Sequence, residues 1–299
     1  MELIVQPDDG IETLLTAVKS AKETLDIIIF RFDLKPLEKA IEAAVSRGVV
    51  VRALIAHTNS GGERRLRELE QRMLSVGVAV SRTADDLVRY HGKFLIVDGV
   101  ELHVYGFNFT GIDTQSRSFG IICQDRRCIQ EAVRLFEADA VRQEFEPELD
   151  CLVVSPENAR ELLATFIKRA KKQLLIYDPK VSDPQMIRIL LQRIKAGVDV
   201  RVIGKVGKRA GALKAEKFPG KRLHVRAMVR DGDAAFVGSQ SLRALELDGR
   251  REVGLISKDA KVVKRLLEVF EADWAKTARG EKEQKQASAE PELAEAGTG

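Results

Sequence analysis

The stretches HGKFLIVDG (91–99) and HVRAMVRDG (224–232) repeat one arrangement: a histidine, a cation two residues on, a run rich in apolar side chains, and an aspartate followed by glycine. On a strand, residues two apart share a face, so His91 and Lys93 are expected to project together, as are His224 and Arg226. An imidazole beside a cation is an unusual pair to place on one surface. It suits a phosphate, whose non-bridging oxygens the cation neutralises while the histidine acts as nucleophile or proton donor. One copy alone would read equally well as a surface pair. Two copies at matching places, in a chain with only 4 histidines, point to a shared phosphate chemistry.

Outward from this pair the whole chain is duplicated. Pro7-Asp8-Asp9 opens a helical pattern (Ile11, Leu14, Leu15, Val18) followed by the apolar run LDIIIF at 25–30. Pro156-Glu157-Asn158, 149 positions later, opens Leu162, Leu163, Phe166 and Ile167 and then LLIYD at 174–178. RGVVVRALI (47–55) is answered by AGVDVRVIG (196–204), each a glycine helix stop followed by a β-rich run. Beyond that the displacement falls to 133 or 134, as His91, Asp98 and Phe136 answer His224, Asp231 and Phe270. The surplus of the first half sits between Thr58 and Arg89, where GGERRLRELEQRML predicts an extra amphipathic helix. Each half closes on the same phrase, LFEAD at 135–139 and VFEAD at 269–273, whose apolar residues are read as core. Alternating helix and strand predicts an α/β fold of two similar α/β/α lobes packed face to face. The expected division is 1–148 for the first lobe, 149–278 for the second, and a disordered tail over 279–299, where apolar periodicity ends.

Composition sets the outer limits. A 299-residue chain with 44% hydrophobic residues can build two cores, and no apolar run reaches membrane-spanning length. Cys123, Cys128 and Cys151 are an odd number in a long chain, so buried thiols and a cytoplasmic location are expected. The net charge of +4 names no partner, but residues 201–226 carry nine Lys or Arg against one acid, Glu216. That segment reads either as a solvated loop or as an electropositive rim over an anionic substrate.

The paired motif resembles that of the phospholipase D superfamily: His-x-Lys, four residues, Asp, six residues, then Gly-Ser-x-Asn, present twice. The resemblance covers nearly the whole chain apart from the tail. It implies a phospholipase D-like fold with the active site at the lobe interface, and a phosphohistidine mechanism with one histidine as nucleophile and the other as acid. By resemblance, Lys93 and Arg226 hold the phosphate oxygens, helped by Asn108, Ser239 and Ser241, while Asp98 and Asp231 are counted with the catalytic motif as its aspartates, which in the family mostly shape the strand and loop. Glu252 falls where the family places an acid that orients an imidazole, and is assigned to His224. The matching position in the first half is Ser118, which leaves His91 the less supported histidine. Tyr105 and Gly106 stand where the family has Gly-Ser. No metal and no cofactor are implied, and no obligate protein partner.

The substrate expected is a phosphodiester, with phospholipid favoured, cleaved or transferred, and with peripheral contact to anionic surfaces. The alternatives are a nuclease or nucleic-acid repair phosphodiesterase, and a non-catalytic anion-binding member of the fold. His57 is a candidate substrate contact at a strand end; His103 and Trp274 are read as packed interior residues.

Overall fold

The structure, a computed structural model, describes residues 1–59, 61–208 and 210–286. The first half runs β1 (Glu2–Gln6), α1 (Glu12–Ser20), β2 (Thr24–Ile29), α2 (Lys35–Ser46), β3 (Val50–Ile55), α3 (Glu63–Ser75) and β4 (Ala79–Arg82). It continues with β5 (Arg89–Tyr90), β6 (Phe94–Val97), β7 (Glu101–Tyr105), α4 (Gly111–Thr114), β8 (Ser118–Cys123) and α5 (Arg126–Val141). The second half runs β9 (Leu152–Ser155), α6 (Ala159–Lys168), β10 (Gln173–Val181), α7 (Pro184–Lys195), β11 (Asp199–Val206) and β12 (Ala215–Glu216). It ends with β13 (Ala227–Arg230), β14 (Ala234–Gly238), α8 (Ala244–Asp248), β15 (Arg250–Ser257) and α9 (Ala260–Trp274).

The two halves repeat one topology. The first sheet has the order β1-β8-β7-β6-β2-β3-β4, and the second reads β9-β15-β14-β13-β10-β11-β12 in the corresponding direction. In each, three strands at one end run parallel (β2/β3/β4, β10/β11/β12), and the pairs from there to the other end are antiparallel. The glycine stops behave as the sequence predicts: Gly48 and Gly197 follow α2 and α7 with φ of 89° and 85°, a conformation that turns the chain into the next strand. The extra amphipathic helix is α3, which buries Leu66, Leu69 and Met73 on one face.

Three cores hold these layers. α1, α2 and α3 cover one face of the first sheet, and α6 and α7 one face of the second. The other faces share a single core, in which Phe119 and Phe136 meet Tyr177, Phe270 and Trp274 and into which α5 and α9 pack. The lobes are thus joined by continuous apolar packing rather than by a linker. One short segment also crosses between them, since β5 of the first half pairs in parallel with Arg250 and Arg251 of β15.

Two expectations are corrected. Cys128 and Cys151 form a disulfide, leaving only Cys123 as a free, buried thiol, so the argument from reduced thiols to a cytoplasmic location loses its footing. Sequence spacing could not pair them, because α5 and the chain that follows it must first fold back onto β9. Residues 279–286 are helical rather than the start of a disordered tail, with Glu283 accepting from the Trp274 indole at 2.9 Å; residues 287–299 lie outside the described residues. No helix among the described residues is long and apolar enough to cross a membrane.

Candidate active site at the lobe interface

His91 and Lys93 lie in the extended stretch between β5 and β6, and His224 and Arg226 in the matching stretch before β13. They are not within the regular strands expected of them, yet the two-residue spacing still aligns their side chains: Lys93 Nζ sits 3.2 Å from Nε2 of His91 and 3.0 Å from its Nδ1. Each histidine is anchored to the opposite half of the chain. The His91 amide donates to the Arg251 carbonyl at 2.7 Å, and the His224 amide to the Arg117 carbonyl at 3.0 Å.

This exchange decides which acid serves which imidazole. Glu252 follows Arg251 on β15, and its Oε2 lies 2.8 Å from Nδ1 of His91, whose N–H it accepts. The assignment of Glu252 to His224 is therefore corrected: the acid orients the histidine of the other half. His224 has a carboxylate that the sequence reading missed, Asp113 of α4, with Oδ1 2.8 Å from Nδ1 although off the ideal N–H direction. Asp113 also accepts from Asn108 Nδ2 at 2.6 Å, from Thr110 Oγ1 at 3.1 Å and from Arg222. Ser118 is buried with its hydroxyl unpartnered among the described residues and orients neither ring, so the imidazole-orienting role expected at its position is also corrected. The signal for Asp113 was its place three residues after Thr110, close to the motif asparagine, rather than at the repeat-equivalent of Glu252.

The site is buried and strongly charged. Burial first, then the positive fields of Lys93, Arg226, His224 and Arg250, hold His91 well below the usual histidine range. Burial also pushes His224 down to about 4; Asp113 opposes that shift and Arg226 adds to it. Lys93 is pushed down to about 7 by burial, Glu252 working against the shift and Arg226 with it. Burial raises the Glu252 carboxyl, with Lys93 and Ser239 opposing. Asp113 is the exception: burial would raise it, but His224, Arg222 and Asn108 hold it well below the usual carboxylate range. Nε and Nη1 of Arg226 are buried and find no acceptor among the described residues. Such donors are costly to leave unmatched and fit an anion.

The remaining predicted residues separate into two groups. Asn108, Ser239 and Ser241 lie in the interior around the site, but each hydroxyl or amide nitrogen has a protein partner: Asp113 for Asn108, the Val253 carbonyl for Ser239 at 3.3 Å, and Asp178 for Ser241 at 2.5 Å. Asp98 and Asp231 stand apart. Asp98 accepts the amides of Lys22, Glu23 and Thr24, and Asp231 those of Lys171, Lys172 and Gln173. Each lies five residues beyond its motif cation, at the far end of a strand, roughly 16 Å along the chain. Counted with the catalytic motif, they hold the sheets together instead, which is the shaping part that the resemblance gives the motif aspartate. Gly106 has a steric reason: a Cβ there would lie 2.9 Å from the Gly238 carbonyl, so the serine of the family pattern does not fit.

The FEAD phrases also gain a role. Asp139 accepts from Arg251 at 3.2 Å and Asp273 from Arg117 at 3.2 Å, so each buried aspartate pairs with an arginine of the other half. These are the arginines whose carbonyls anchor the two histidines. His57 is exposed beside α3, and His103 is buried between Glu101 and Tyr105 as expected of an interior residue. Among the described residues no cluster of three or more His, Cys, Asp or Glu is disposed to hold a metal.

Comparison with known proteins agrees with this fold. The family model described as "Cardiolipin synthase, PLD-like domain" matches residues 14–140 and 163–274, one segment per half. A curated relative, the mitochondrial cardiolipin hydrolase of Xenopus tropicalis, is 29% identical over 143 residues, which is 47% of this chain and 64% of that protein. The structure is similar to phosphatidylserine synthase from Haemophilus influenzae Rd KW20, with a TM-score of 0.69 at 13% identity over 96% of this chain and 85% of that one. It is also similar to polyphosphate kinase from Porphyromonas gingivalis, with a TM-score of 0.72 at 17% identity over 90% of this chain; the match spans 49% of that protein. With its duplicated α/β lobes and both halves matched, the chain belongs to the family of phospholipase D-like domains.

Proposed function

We propose that the chain is a phosphodiesterase that works through a phosphohistidine, with a phospholipid as substrate. The observation that carries this reading is the gathering of two buried cations, Lys93 and Arg226, the latter with unmatched Nε and Nη1, with two imidazoles that come from different halves and each lie 2.8 Å from a carboxylate. His91 attacks phosphorus through Nε2; a P–N bond forms as the P–O bond to the leaving group breaks, and His224 gives its proton to that oxygen. Water or an alcohol then attacks phosphorus, passes its proton to His224, and breaks the P–N bond. Lys93 and Arg226 neutralise the charge that accumulates on the non-bridging oxygens.

The roles follow from electrostatics. Around His91, burial and the neighbouring cations disfavour a second proton, while Glu252 accepts the Nδ1 proton, which leaves the Nε2 lone pair for attack. At His224, Asp113 works in favour of the proton. An anionic substrate offsets the surrounding cations and raises His224 toward the protonation its acid role needs. The phospholipid choice draws on the family description and on relatives named for cardiolipin and phosphatidylserine chemistry. Turnover of bis(4-nitrophenyl) phosphate, compared between wild type and His224→Ala, tests the mechanism. At least a thousandfold loss is expected, and equal rates would overturn it.

A second reading, cleavage of nucleic acid, is favoured by the basic segment: Lys205, Lys208 and Lys214 are exposed and make no ion pair with a described residue. Reversing their charge lowers DNA affinity and its salt dependence under that reading, and leaves both unchanged if the segment is an ordinary solvated loop.

A further inference from the structure

We propose that the rim of the active site is a membrane-docking face, on which Val88, Ile112 and Leu245 enter an anionic lipid surface and hold the catalytic cleft against it. This rests on the phospholipid reading above and names how that substrate is reached.

Large apolar side chains are seldom left exposed without a role when they cluster. Among the described residues seven large apolar side chains are exposed, and three of them, Ile112 at 62%, Val88 at 57% and Leu245 at 41%, lie within three residues of Asp113, His91 or Glu246, with Val88 and Leu245 both facing Gly249. Ile112 and Leu245 are equivalent: they stand 133 positions apart, the same displacement as His91 and His224. Ile112 lies on α4 and precedes Asp113, the carboxylate that holds His224. Leu245 lies on α8 and precedes Glu246, which accepts from Arg250 at 3.0 Å; Arg250 in turn lies 4.0 Å from Glu252, the partner of His91. Val88 stands three residues before His91, and its amide donates to the Gly249 carbonyl at the end of α8. The three side chains therefore flank the two histidines from both lobes.

Each is accompanied by cations. Arg222 bonds Asp113 and reaches Ser116 Oγ at 3.3 Å, which sets the exposed Lys221 and Arg222 beside Ile112. Arg243, half-buried, donates to Glu246 next to Leu245, and Arg89 follows Val88. Apolar tips surrounded by basic groups match a bilayer surface, in which the tips enter the acyl boundary and the cations meet anionic headgroups. A nucleic-acid backbone would gain from the cations and nothing from the valine, isoleucine and leucine. By symmetry the two short helices, too small to bind alone, form one face around the cleft.

The test compares wild type with the triple variant Val88→Ser, Ile112→Ser, Leu245→Ser. Sedimentation uses vesicles of phosphatidylcholine with phosphatidylglycerol, vesicles of phosphatidylcholine alone, and a short DNA duplex, with bis(4-nitrophenyl) phosphate turnover in parallel. Wild type is expected to bind the anionic vesicles in preference to the neutral ones, and the variant on the order of tenfold more weakly or worse, with turnover of the soluble diester retained. Wild type that ignores anionic vesicles, a variant that binds them as wild type does, or preferential binding of DNA unaffected by the variant would each overturn the inference. Headgroup release from phospholipid in detergent micelles is read separately; its absence in wild type strikes the phospholipid reading, not the vesicle binding.

Discussion

Nδ1 of His91 and Oε2 of Glu252 lie 2.8 Å apart across 161 positions of sequence, and the bond joins the first lobe to the second. His224 takes its carboxylate, Asp113, from the first lobe in return. Each of these two imidazoles is thus oriented by the half to which it does not belong, and neither lobe alone supplies the carboxylate for its own motif histidine.

Asp113→Asn is expected to lower turnover by about 10²–10⁴-fold, because an amide no longer fixes the tautomer or stabilises the protonated ring. The pH profile separates this from a packing defect. Without the carboxylate that favours the proton on His224, the alkaline limb, along which the acid loses its proton, moves to lower pH. Ser118→Ala, by contrast, should leave turnover near that of the wild type, since the hydroxyl orients neither histidine. Equal losses in the two variants would remove Asp113 from its positioning role.

Lys93 gives a second pH signature. Its ammonium is pushed down to about 7, so below that pH it carries a charge, and above it the free site loses one positive group. A bound anion raises the Lys93 value, so binding takes up a proton between the free and the bound values. Inhibition by inorganic phosphate or tungstate is therefore expected to weaken as pH rises above 7, by up to about tenfold per unit. Lys93→Met should abolish that slope as well as weaken binding. Inhibition constants measured across pH in wild type and variant check this.

Much of this was readable before folding because the duplication carries its own internal control. The equal spacing of His91/Lys93 and His224/Arg226, the glycines at 48 and 197, and the placement of α3 in the surplus all translate periodicity into backbone. What sequence hides is the partner across an interface. Glu252 and Ser118 are equivalent in the repeat, yet equivalence says nothing about which histidine faces them. That is set by β5 pairing with β15, a two-residue contact too short to leave a pattern. Asp139 and Asp273 were hidden for a related reason: their helices look like ordinary amphipathic core elements, and only packing shows each buried carboxylate meeting an arginine of the other half. The disulfide between Cys128 and Cys151 likewise depends on how the chain after α5 turns back.

The motif aspartates provide a test of structure without chemistry. Asp98 and Asp231 sit at φ of 50° and 52° and each gathers three backbone amides at the start of the adjoining strand. Asp98→Ala removes those bonds and places alanine in a left-handed conformation. The expected result is a loss of about 1–3 kcal/mol in stability with little change in turnover per folded molecule. Asp98→Asn, which tolerates that backbone, should lose less. Chemical denaturation read beside active-site titration separates the two effects. A large fall in turnover at unchanged stability would return these residues to the chemistry.

The Cys128–Cys151 disulfide closes a loop with a sequence separation of 23, which constrains the unfolded chain by about 3 kcal/mol in the loop-entropy account. It ties the end of the first lobe to the start of the second. Cys128→Ser with Cys151→Ser, or reduction of the wild type, should lower the denaturation midpoint and leave kcat on a soluble diester unchanged. A matching fall in kcat would show that the site depends on this closure.

The identity of the phosphorylated histidine is the sharpest test of the assignment. With both imidazoles held by carboxylates, orientation no longer distinguishes them, and the difference lies in the surrounding charge. Lys93 Nζ is 3.2 Å from Nε2 of His91, which keeps a proton off that nitrogen, while Asp113 favours a proton on His224. The first is the condition for a nucleophile and the second for an acid. Acid quenching during turnover, with alkaline work-up to preserve the P–N bond and mapping of the labelled peptide, should place phosphate on the peptide containing His91. In His224→Ala that label should build up only with a leaving group acidic enough to depart unprotonated, such as 4-nitrophenol, and should then persist because no base activates water. Label on the peptide containing His224 in the wild type would exchange the two roles while leaving the two-histidine mechanism in place, and it would mean that Lys93 serves the acid rather than guarding the nucleophile.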